Sequence, residues 1–269
     1  MRRRQFLMAA ATGDMRLRPA GGEWLKPFLY PIRAASGLEL SRGWPVTPRA
    51  GDSQDHAWHR GLFWGHGLIN GVDFWREQGR DKSGRIEGDY LIAPSGEKLG
   101  SVRQRFKTAA ALGENHIDAV ITIQANQRQP LTFGDTDDGG FGIRMREEFR
   151  EDRGALIRNA EDRQGTKQVW GKPSRWVDYS SKVDGRACGV VIFDHPGNFR
   201  HPTTWHARGY GLNSANPFAW KSFDKAVPEG KHVIPAGGTL RFRYRVLIYE
   251  QGLDAAAIEQ RYRAWAGRG

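Results

Sequence analysis

The sequence predicts an all-β fold, a single antiparallel β-sandwich with a short C-terminal α-helix. Three observations support this prediction. The 269 residues include 34 glycines and 13 prolines, and 11% are aromatic, which is typical of many strands joined by turns. Residues 239–249 alternate, with Leu240, Phe242, Tyr244 and Val246 on one face and arginines on the other. Only the C-terminal stretch has convincing helical spacing.

The N-terminus resembles a twin-arginine export signal. Arg2, Arg3 and Arg4 precede a short apolar run that breaks at Thr12. We expect residues 1–18 to be a degenerate leader outside the fold, and 19–269 to form one β-sandwich domain. The pattern favours a periplasmic or otherwise exported protein, and a cytoplasmic one if the leader does not function.

Short extended segments then alternate with turn signals. Residues 24–32 hold apolar side chains interrupted by two prolines, which suits an edge strand. Asn70-Gly71 indicates a tight turn. Further strands are predicted at 62–64, 102–106, 116–124, 142–146, 188–193 and 239–249.

The C-terminal helix has both a start and a stop. Asp254 can cap its first turn, and Gly267 ends it. Ile258, Tyr262 and Trp265 follow i, i+4, i+7 spacing and predict one buried face.

Charge and composition exclude some functions. The net charge is +11, but residues 1–50 and 201–269 carry +6 and +5, whereas 51–100 carry −2. With no recognition helix or RNA-binding motif either, we expect no nucleic-acid partner. No stretch approaches the roughly 20 apolar residues that span a bilayer. The single cysteine, Cys188, excludes an intrachain disulfide and is predicted to be a buried thiol.

Histidines concentrate in two short segments. Residues 55–66 contain His56, His59 and His66, and residues 194–206 contain His195, His201 and His206. The second segment follows an apolar strand, and two of its histidines precede proline, which disfavours a helix. Loops at strand ends often carry reactive side chains. We expect the sandwich to bring both segments into one pocket, although for any single histidine a capping role is about as credible.

A third segment, 134–142, places Asp135, Asp137 and Asp138 between glycines. Closely spaced carboxylates raise one another's pKa, so one of them could serve as an acid or base. A calcium-like loop and a solvated turn are the alternatives. Among the tryptophans, Trp58 and Trp205 lie beside histidines and are predicted to line a cleft.

These motifs resemble the bacterial PmoA-type family, whose members are often labelled "methane oxygenase PmoA". The resemblance covers about residues 24–250. It implies a β-sandwich similar to those of sugar mutarotases, in proteins that are frequently exported. Trp58 stands where relatives tend to carry a histidine. The resembling segments are 55–62, 66–67, 70–75, 134–136, 139–144, 170–171, 176–179, 193–196, 200–206 and 216–218.

The leading hypothesis is a carbohydrate-active enzyme, a hydrolase, lyase or epimerase, that uses acid–base chemistry on a sugar or glycoside. A metal-dependent enzyme, oxygenase-like as the family label implies, and a non-catalytic carbohydrate-binding protein are the alternatives. The sequence requires no cofactor, and a divalent metal stays open. The expected catalytic residues are His56, His59, His195, His201, His206 and Asp135. The expected substrate-binding residues are Arg60, His66, Asn70, Asp73, Asp138, Arg144, Trp205 and Asn216.

Overall fold

A computed structural model of the protein describes residues 14–111 and 113–267, except for the side chain of Ala111. The predicted all-β sandwich is confirmed, and its strands pair antiparallel throughout the described residues. The strands are β1(Arg16–Arg18), β2(Phe28–Tyr30), β3(Leu62–His66), β4(Arg85–Glu87), β5(Tyr90–Ile92), β6(Lys98–Ala111), β7(Glu114–Ala125), β8(Leu131–Phe133), β9(Gly139–Arg144), β10(Leu156–Asn159), β11(Trp176–Val183), β12(Arg186–Asp194), β13(Trp205–Arg208), β14(Leu212–Ala215), β15(His232–Ile234) and β16(Thr239–Glu250).

Two large sheets form the sandwich. The six-stranded sheet has the order β1-β2-β3-β9-β14-β13, and the eight-stranded sheet has the order β10-β11-β12-β16-β7-β6-β5-β4. Strands β15 and β8 form a separate two-stranded ribbon. Two short 3-10 turns, Glu147–Phe149 and Glu151–Arg153, and two helices, α1(Thr166–Val169) and α2(Ala255–Ala266), complete the described secondary structure.

The main core lies between the two sheets. Because side chains alternate along a strand, every second residue of each strand points into it. In β16 the inward residues include Phe242, Tyr244 and Val246, as the sequence predicts. Arg243 and Arg245 point outward and are partly exposed, so the predicted arginine face is confirmed.

Helix α2 covers part of the outer face of the eight-stranded sheet. The Asp254 carboxylate accepts a hydrogen bond from the amide of Ala257 at 2.7 Å, which confirms the predicted cap. Ile258, Tyr262 and Trp265 are buried against outward residues of β11, β12 and β16. No helix in the described part of the chain is both long and apolar enough to cross a membrane.

The N-terminal region differs from the prediction in two details. Strand β1 lies within the stretch expected to be a leader, and it pairs with β2. Strand β2 is therefore an inner strand instead of the expected edge strand, with β1 as the edge. The paired arginines and apolar run of the leader lie outside the described residues.

Strand alternation gives the six-stranded sheet a second, outward-facing aromatic layer. Phe28, Tyr30 and Phe63 point away from the main core and pack with Trp75 and Leu212. Partly buried Trp58 and Tyr210, from the connecting loops, pack on this layer. The candidate site is built here.

Candidate functional site

Three strands of the six-stranded sheet provide the floor of the site. In β13, Trp205 and Ala207 face the main core, so His206 between them faces outward. In β9, Ile143 faces the core, so Arg144 also faces outward. Strand β3 adds Phe63 on the same side. The floor therefore combines an imidazole, a guanidinium and an aromatic ring.

A glycine in β3 makes room for the indole that lies over this floor. A Cβ on Gly65 would lie 2.7 Å from the carbonyl oxygen of Phe74 and 3.4 Å from Cε3 of Trp75. Because glycine lacks that carbon, the Trp75 indole packs directly on the sheet. Trp75 is fully buried.

Arg42 holds the histidine-bearing loop over the floor. Its Nη1 donates to the carbonyl oxygens of Ser53 at 3.2 Å and Asp55 at 2.7 Å. Its Nη2 donates to the carbonyl oxygens of His56 at 2.9 Å and His59 at 3.1 Å. His56 has a φ of 44°, a left-handed conformation that few side chains adopt. One buried guanidinium thus fixes the path of residues 53–59.

The loop histidines and the strand histidine share one aromatic environment. The His56 and His59 rings are stacked with centroids 5.1 Å apart, and His56 stacks on Tyr210 at 5.0 Å. The Trp75 indole contacts His59 at a centroid distance of 5.2 Å and His206 at 6.4 Å. The structure therefore brings His56, His59 and His206 together. These residues come from two histidine segments that are far apart in sequence.

Several buried nitrogens in this cluster have no hydrogen-bond partner among the described residues. They are Nδ1 and Nε2 of His59, Nδ1 of His206, Nε1 of Trp75, and Nε and Nη1 of Arg144. His59 and Arg144 are 1% and 0% exposed. An unsatisfied buried polar group costs roughly 1–3 kcal/mol, so folded proteins satisfy nearly all of them. Their concentration here makes this cluster the candidate site.

The environment sets the protonation of the titrating groups. Burial, followed by the positive charges of Arg144 and Lys26, holds the pKa of His59 well below its ordinary value. Burial lowers the pKa of His206 to about 4 despite the nearby Asp137 carboxylate. Burial raises the pKa of Tyr210 to about 12. At neutral pH, His59 and His206 are therefore uncharged, and Tyr210 keeps its proton.

An acidic rim borders His206. The Asp137 carboxylate lies 3.9 Å from its Nε2 and is partly exposed. Asp138 pairs with Arg76 at 2.6 Å, and burial raises the pKa of the Asp138 carboxyl. Asp137, which the expected catalytic set does not include, is thus the carboxylate beside His206, whereas Asp55 lies 3.2 Å from Nδ1 of His56.

The other predicted histidines lie elsewhere. The His201 Nδ1 bonds to the Asp194 carboxylate at 2.7 Å. The His195 ring packs on Trp265 of α2 at 5.2 Å, and its Nδ1 accepts from the amide of Gly197. The His66 Nε2 bonds to the carbonyl oxygen of Gly134, within the main core. Each has its own local contacts.

Two of the predicted polar residues, Asp135 and Asn216, bond to backbone groups. The Asp135 carboxylate accepts hydrogen bonds from the amides of Lys221 at 2.7 Å, Ser222 at 2.9 Å and Gly230 at 2.6 Å. Burial raises the pKa of this carboxyl, but these bonds outweigh burial and lower it. Asn216 donates to the carbonyl oxygens of Thr136 and Asp137.

Two further predicted polar residues stabilise turns. The Asn70 side chain bonds to the backbone at Pro130 and Thr132, with Asn70-Gly71 in the predicted tight turn. The Asp73 carboxylate accepts from the amides of Trp75 at 2.7 Å and Arg76 at 2.9 Å.

Arg60 and Trp205 are buried structural side chains. Arg60 pairs with Glu77 and stacks over Phe28 at 4.9 Å from the ring centroid. Trp205 is 0% exposed and donates to the carbonyl oxygen of Ser174 at 2.8 Å, so it does not line a cleft. Trp58, the other expected cleft residue, is half-buried beside His56.

Four residues that shape this region were not predicted from the sequence: Lys26, Arg42, Glu77 and Tyr210. Lys26 and Arg42 are charged side chains that are 1% exposed. The sequence does carry a signal for Tyr210, an aromatic residue between Gly209 and Gly211 in the turn that joins β13 to β14. No comparable signal marks the other three.

Two cavities of the described surface lie away from this cluster. One, of about 580 Å³, lies beside α2 and is lined by residues including His195, Arg243 and Trp265. The other, of about 500 Å³, lies near Arg158 and Tyr249. Burial raises the pKa of the nearby Cys188 thiol to about 11, consistent with the predicted buried cysteine.

The donor set does not fit a metal ion. In residues 14–111 and 113–267, no group of three or more His, Cys, Asp or Glu side chains is placed to hold one. His56 and His59 lie face to face, with 3° between their ring planes, whereas a shared ion needs nitrogens that converge on one point.

The chain is an all-β sandwich with a buried cluster of histidine, arginine and aromatic side chains on one outer face. The chain belongs to a family of unknown function, DUF6807, whose model matches residues 20–106 and 91–263. A solved polysaccharide lyase is similar to 93% of this chain, with 11% identity and a TM-score of 0.39. The chain spans about a third of that protein, 34% of its length. Comparison with curated proteins gave no significant match.

Proposed function

We propose that the protein is an acid–base enzyme acting on a carbohydrate, with its active centre at the cluster of His56, His59, His206 and Tyr210. One observation carries the proposal. Three imidazoles from two distant segments gather in one place, and both ring nitrogens of His59 and Nδ1 of His206 have no partner among the described residues. By contrast, Nδ1 of His201 bonds to the Asp194 carboxylate at 2.7 Å.

The protonation states support a proton-transfer role. His59 and His206 are neutral near pH 7 because burial depresses the pKa of each, so each has a ring nitrogen free to accept a proton, although the same shift makes each a weaker base. Tyr210 remains protonated because burial raises the pKa of its hydroxyl to about 12, so it can donate. Asp137, 3.9 Å from His206, stabilises the imidazolium that forms when His206 accepts a proton.

The surroundings suit a sugar. Half-buried aromatic rings border the cluster at Trp58, Tyr210, Trp170 and Phe223, and their faces can pack on a pyranose ring. Arg144 and the Trp75 indole supply unpartnered N–H groups to hydroxyl or ring oxygens. Sites with this mixture of apolar walls and a few fixed donors are typical of small-molecule binding.

Two proposals rest on sequence alone. We propose that the resemblance to PmoA-type proteins reflects common ancestry, with a site at the same segments. We also propose export, on the basis of the arginine-rich start of the chain. Fusing residues 1–18 to a reporter that is active only outside the cytoplasm, with an Arg2→Lys, Arg3→Lys and Arg4→Lys control, tests the second.

A panel of oligosaccharides tests the enzymatic proposal. Wild-type protein is incubated with each member, and products are identified by mass spectrometry as hydrolysed, eliminated or epimerised. At least one member should be converted, and His59→Ala and His206→Ala should abolish conversion. His195→Ala is the matched control, because it removes a buried histidine beside α2.

The panel also separates the alternatives. Binding without product would replace the enzyme with a carbohydrate-binding protein. Conversion that chelator abolishes and an added divalent metal restores would favour the metal-dependent alternative. Conversion that survives both His59→Ala and His206→Ala would refute the proposed centre.

A further inference from the structure

The side chains around His59 carry more buried positive than negative charge. Lys26 and Arg60 share one carboxylate, that of Glu77. Arg42 and Arg144 share a second carboxylate, that of Asp55. Nη1 of Arg42 and Nη2 of Arg144 each lie 2.8 Å from Oδ1 of Asp55. The four cations have side chains no more than 2% exposed, whereas the side chain of Asp55 is 39% exposed.

The nearby carboxylate of Glu147 does not remove this excess. It accepts hydrogen bonds from the amide and hydroxyl of Ser53, and it lies 3.7 Å and 3.8 Å from the guanidinium groups of Arg150 and Arg153. Glu147 is thus shared between these two arginines and the more distant Arg42 and Arg144, whose pKa values burial lowers and its charge raises. The four buried cations pair directly with only two carboxylates, which leaves an excess of positive charge at the base of the site.

Arg144 is the one of these four cations that packs directly on Tyr210. Its Nη2 is bound to Asp55 at 2.8 Å and to the Ser53 hydroxyl at 3.1 Å. Its Nε and Nη1 have no partner in the described part of the chain, although the side chain is 0% exposed. The Tyr210 ring lies over the guanidinium, 4.5 Å from the centroid. A buried guanidinium with free N–H groups favours an anionic partner with two or more oxygens.

The pKa of His59, at the centre of the cluster, is lowered by burial and by the same positive charges. Its neighbours Arg144 and Lys26 both act, after burial, to lower its pKa. An anion bound between these cations would offset their charge and give their free N–H groups acceptors.

We infer that the substrate is an anionic carbohydrate whose charged group binds Arg144, the charge being carried by a ring carboxylate or a sulfate ester. The inference rests on the proposed function, because it assumes that the cluster binds a sugar. Arg144 then acts as the residue that selects charged over neutral substrates, and the imidazoles act beside it.

Isothermal titration calorimetry with matched probes tests this. The first probe is a uronate oligosaccharide, and the second is the same oligosaccharide after carboxyl reduction, so that each carboxylate has become a primary alcohol. A sulfated neutral oligosaccharide and its desulfated form make the second pair. Wild-type protein should bind the charged member of at least one pair about tenfold or more tightly than its neutral partner. The pair that shows the preference identifies the anionic group.

Variants assign the preference to one arginine. Arg144→Gln should bind both members of that pair with similar, weak affinity. Arg144→Lys keeps the charge and should retain a preference for the charged member at reduced affinity. Arg243→Gln is the control, because Arg243 lines the cavity beside α2, and its affinities should match the wild type. If Arg144→Gln does not fold, the wild-type preference and the lysine variant decide.

Failure of the inference and failure of the enzymatic proposal look different. Three results would each overturn the inference. They are equal affinity for both members of each pair, no binding of any charged probe, and a preference that Arg243→Gln removes and Arg144→Gln does not. If neutral probes are nevertheless converted in a His59-dependent reaction, the enzymatic proposal stands. Charged probes that bind through Arg144 and are never converted leave the inference standing and remove the enzyme.

Discussion

The two outer faces of the sandwich differ in how their buried polar groups are satisfied. On the eight-stranded sheet, the buried Asp178 accepts from Nε of Arg158 at 2.8 Å and from the Tyr249 hydroxyl at 3.0 Å. There the Trp176 indole also donates to Glu259 of α2 at 2.9 Å. On the six-stranded sheet, buried nitrogens of residues such as His59 have no partner within the described chain.

This contrast separates buried polar groups that pair within the fold from buried polar groups that do not. A satisfied buried pair stabilises one packing arrangement, and breaking it is costly. An unsatisfied buried donor costs free energy in the absence of a ligand, and a ligand that supplies the missing oxygen offsets that cost. The side chains around Asp178 therefore hold the fold, whereas those around His59 form the candidate site.

The largest expected difference between the faces is in catalysis. His59→Ala or His206→Ala should lower kcat/KM on the converted oligosaccharide by about a thousandfold, because general acid–base groups contribute about 10²–10⁴. His195→Ala should lower it by less than about threefold. Initial rates at fixed pH measure both. A loss at His195 as large as at His59 would erase the distinction between the faces.

The next largest effect is on stability, at the satisfied face. Asp178→Asn should lower the free energy of unfolding by about 3–5 kcal/mol, because it leaves Arg158 without its buried carboxylate. Asp118→Asn removes the partner of Arg245 at a partly exposed site and should cost less than about 1 kcal/mol. Urea denaturation measures both. Similar losses would show that burial of the pair does not set its contribution.

The pH dependence of stability sharpens the contrast at His206. Burial lowers the pKa of His206 from 6.5 to about 4, so between these values the unfolded chain binds more protons there and stability falls with falling pH. The lost contribution is about 3 kcal/mol at most. His206→Gln removes the titration, so its unfolding free energy should vary less than that of the wild type across this window. If the unfolding free energies of the two proteins vary in parallel with pH, the lowered pKa of His206 is contradicted.

The smallest predicted effect runs opposite to the usual one. His59→Phe replaces two unpartnered nitrogens in an aromatic environment and should raise the free energy of unfolding by about 1 kcal/mol while removing activity. Trp176→Phe removes a satisfied hydrogen bond and should lower it by about 1 kcal/mol. Thermal and urea denaturation compare the two. Destabilisation by His59→Phe would identify a structural histidine.

Much of the fold follows from local patterns in the sequence. The alternation in β16 and the cap and spacing of α2 are visible because period and capping act over a few residues. The place of β2 is not visible, because a prolyl-rich strand reads as an edge unless its partner is known. That partner is β1, only three residues of exposed sequence.

The site is predictable only in part. Clustering in sequence marks His56 and His59, and a strand position marks His206. Nothing local separates His206 from His201, because their difference lies in the distant partners they meet, Asp194 for one and Trp75 for the other. Arg42 and Lys26 look like ordinary surface cations until the loops that bury them are placed.

The hydrogen bonds of Arg42 make the path of its loop independent of several side chains. Four of its hydrogen bonds end on main-chain carbonyl oxygens, which every amino acid supplies. Side chains at positions 57 and 58 can therefore be exchanged without removing any of these four bonds, so the anchoring of the loop is independent of the residues at its tip.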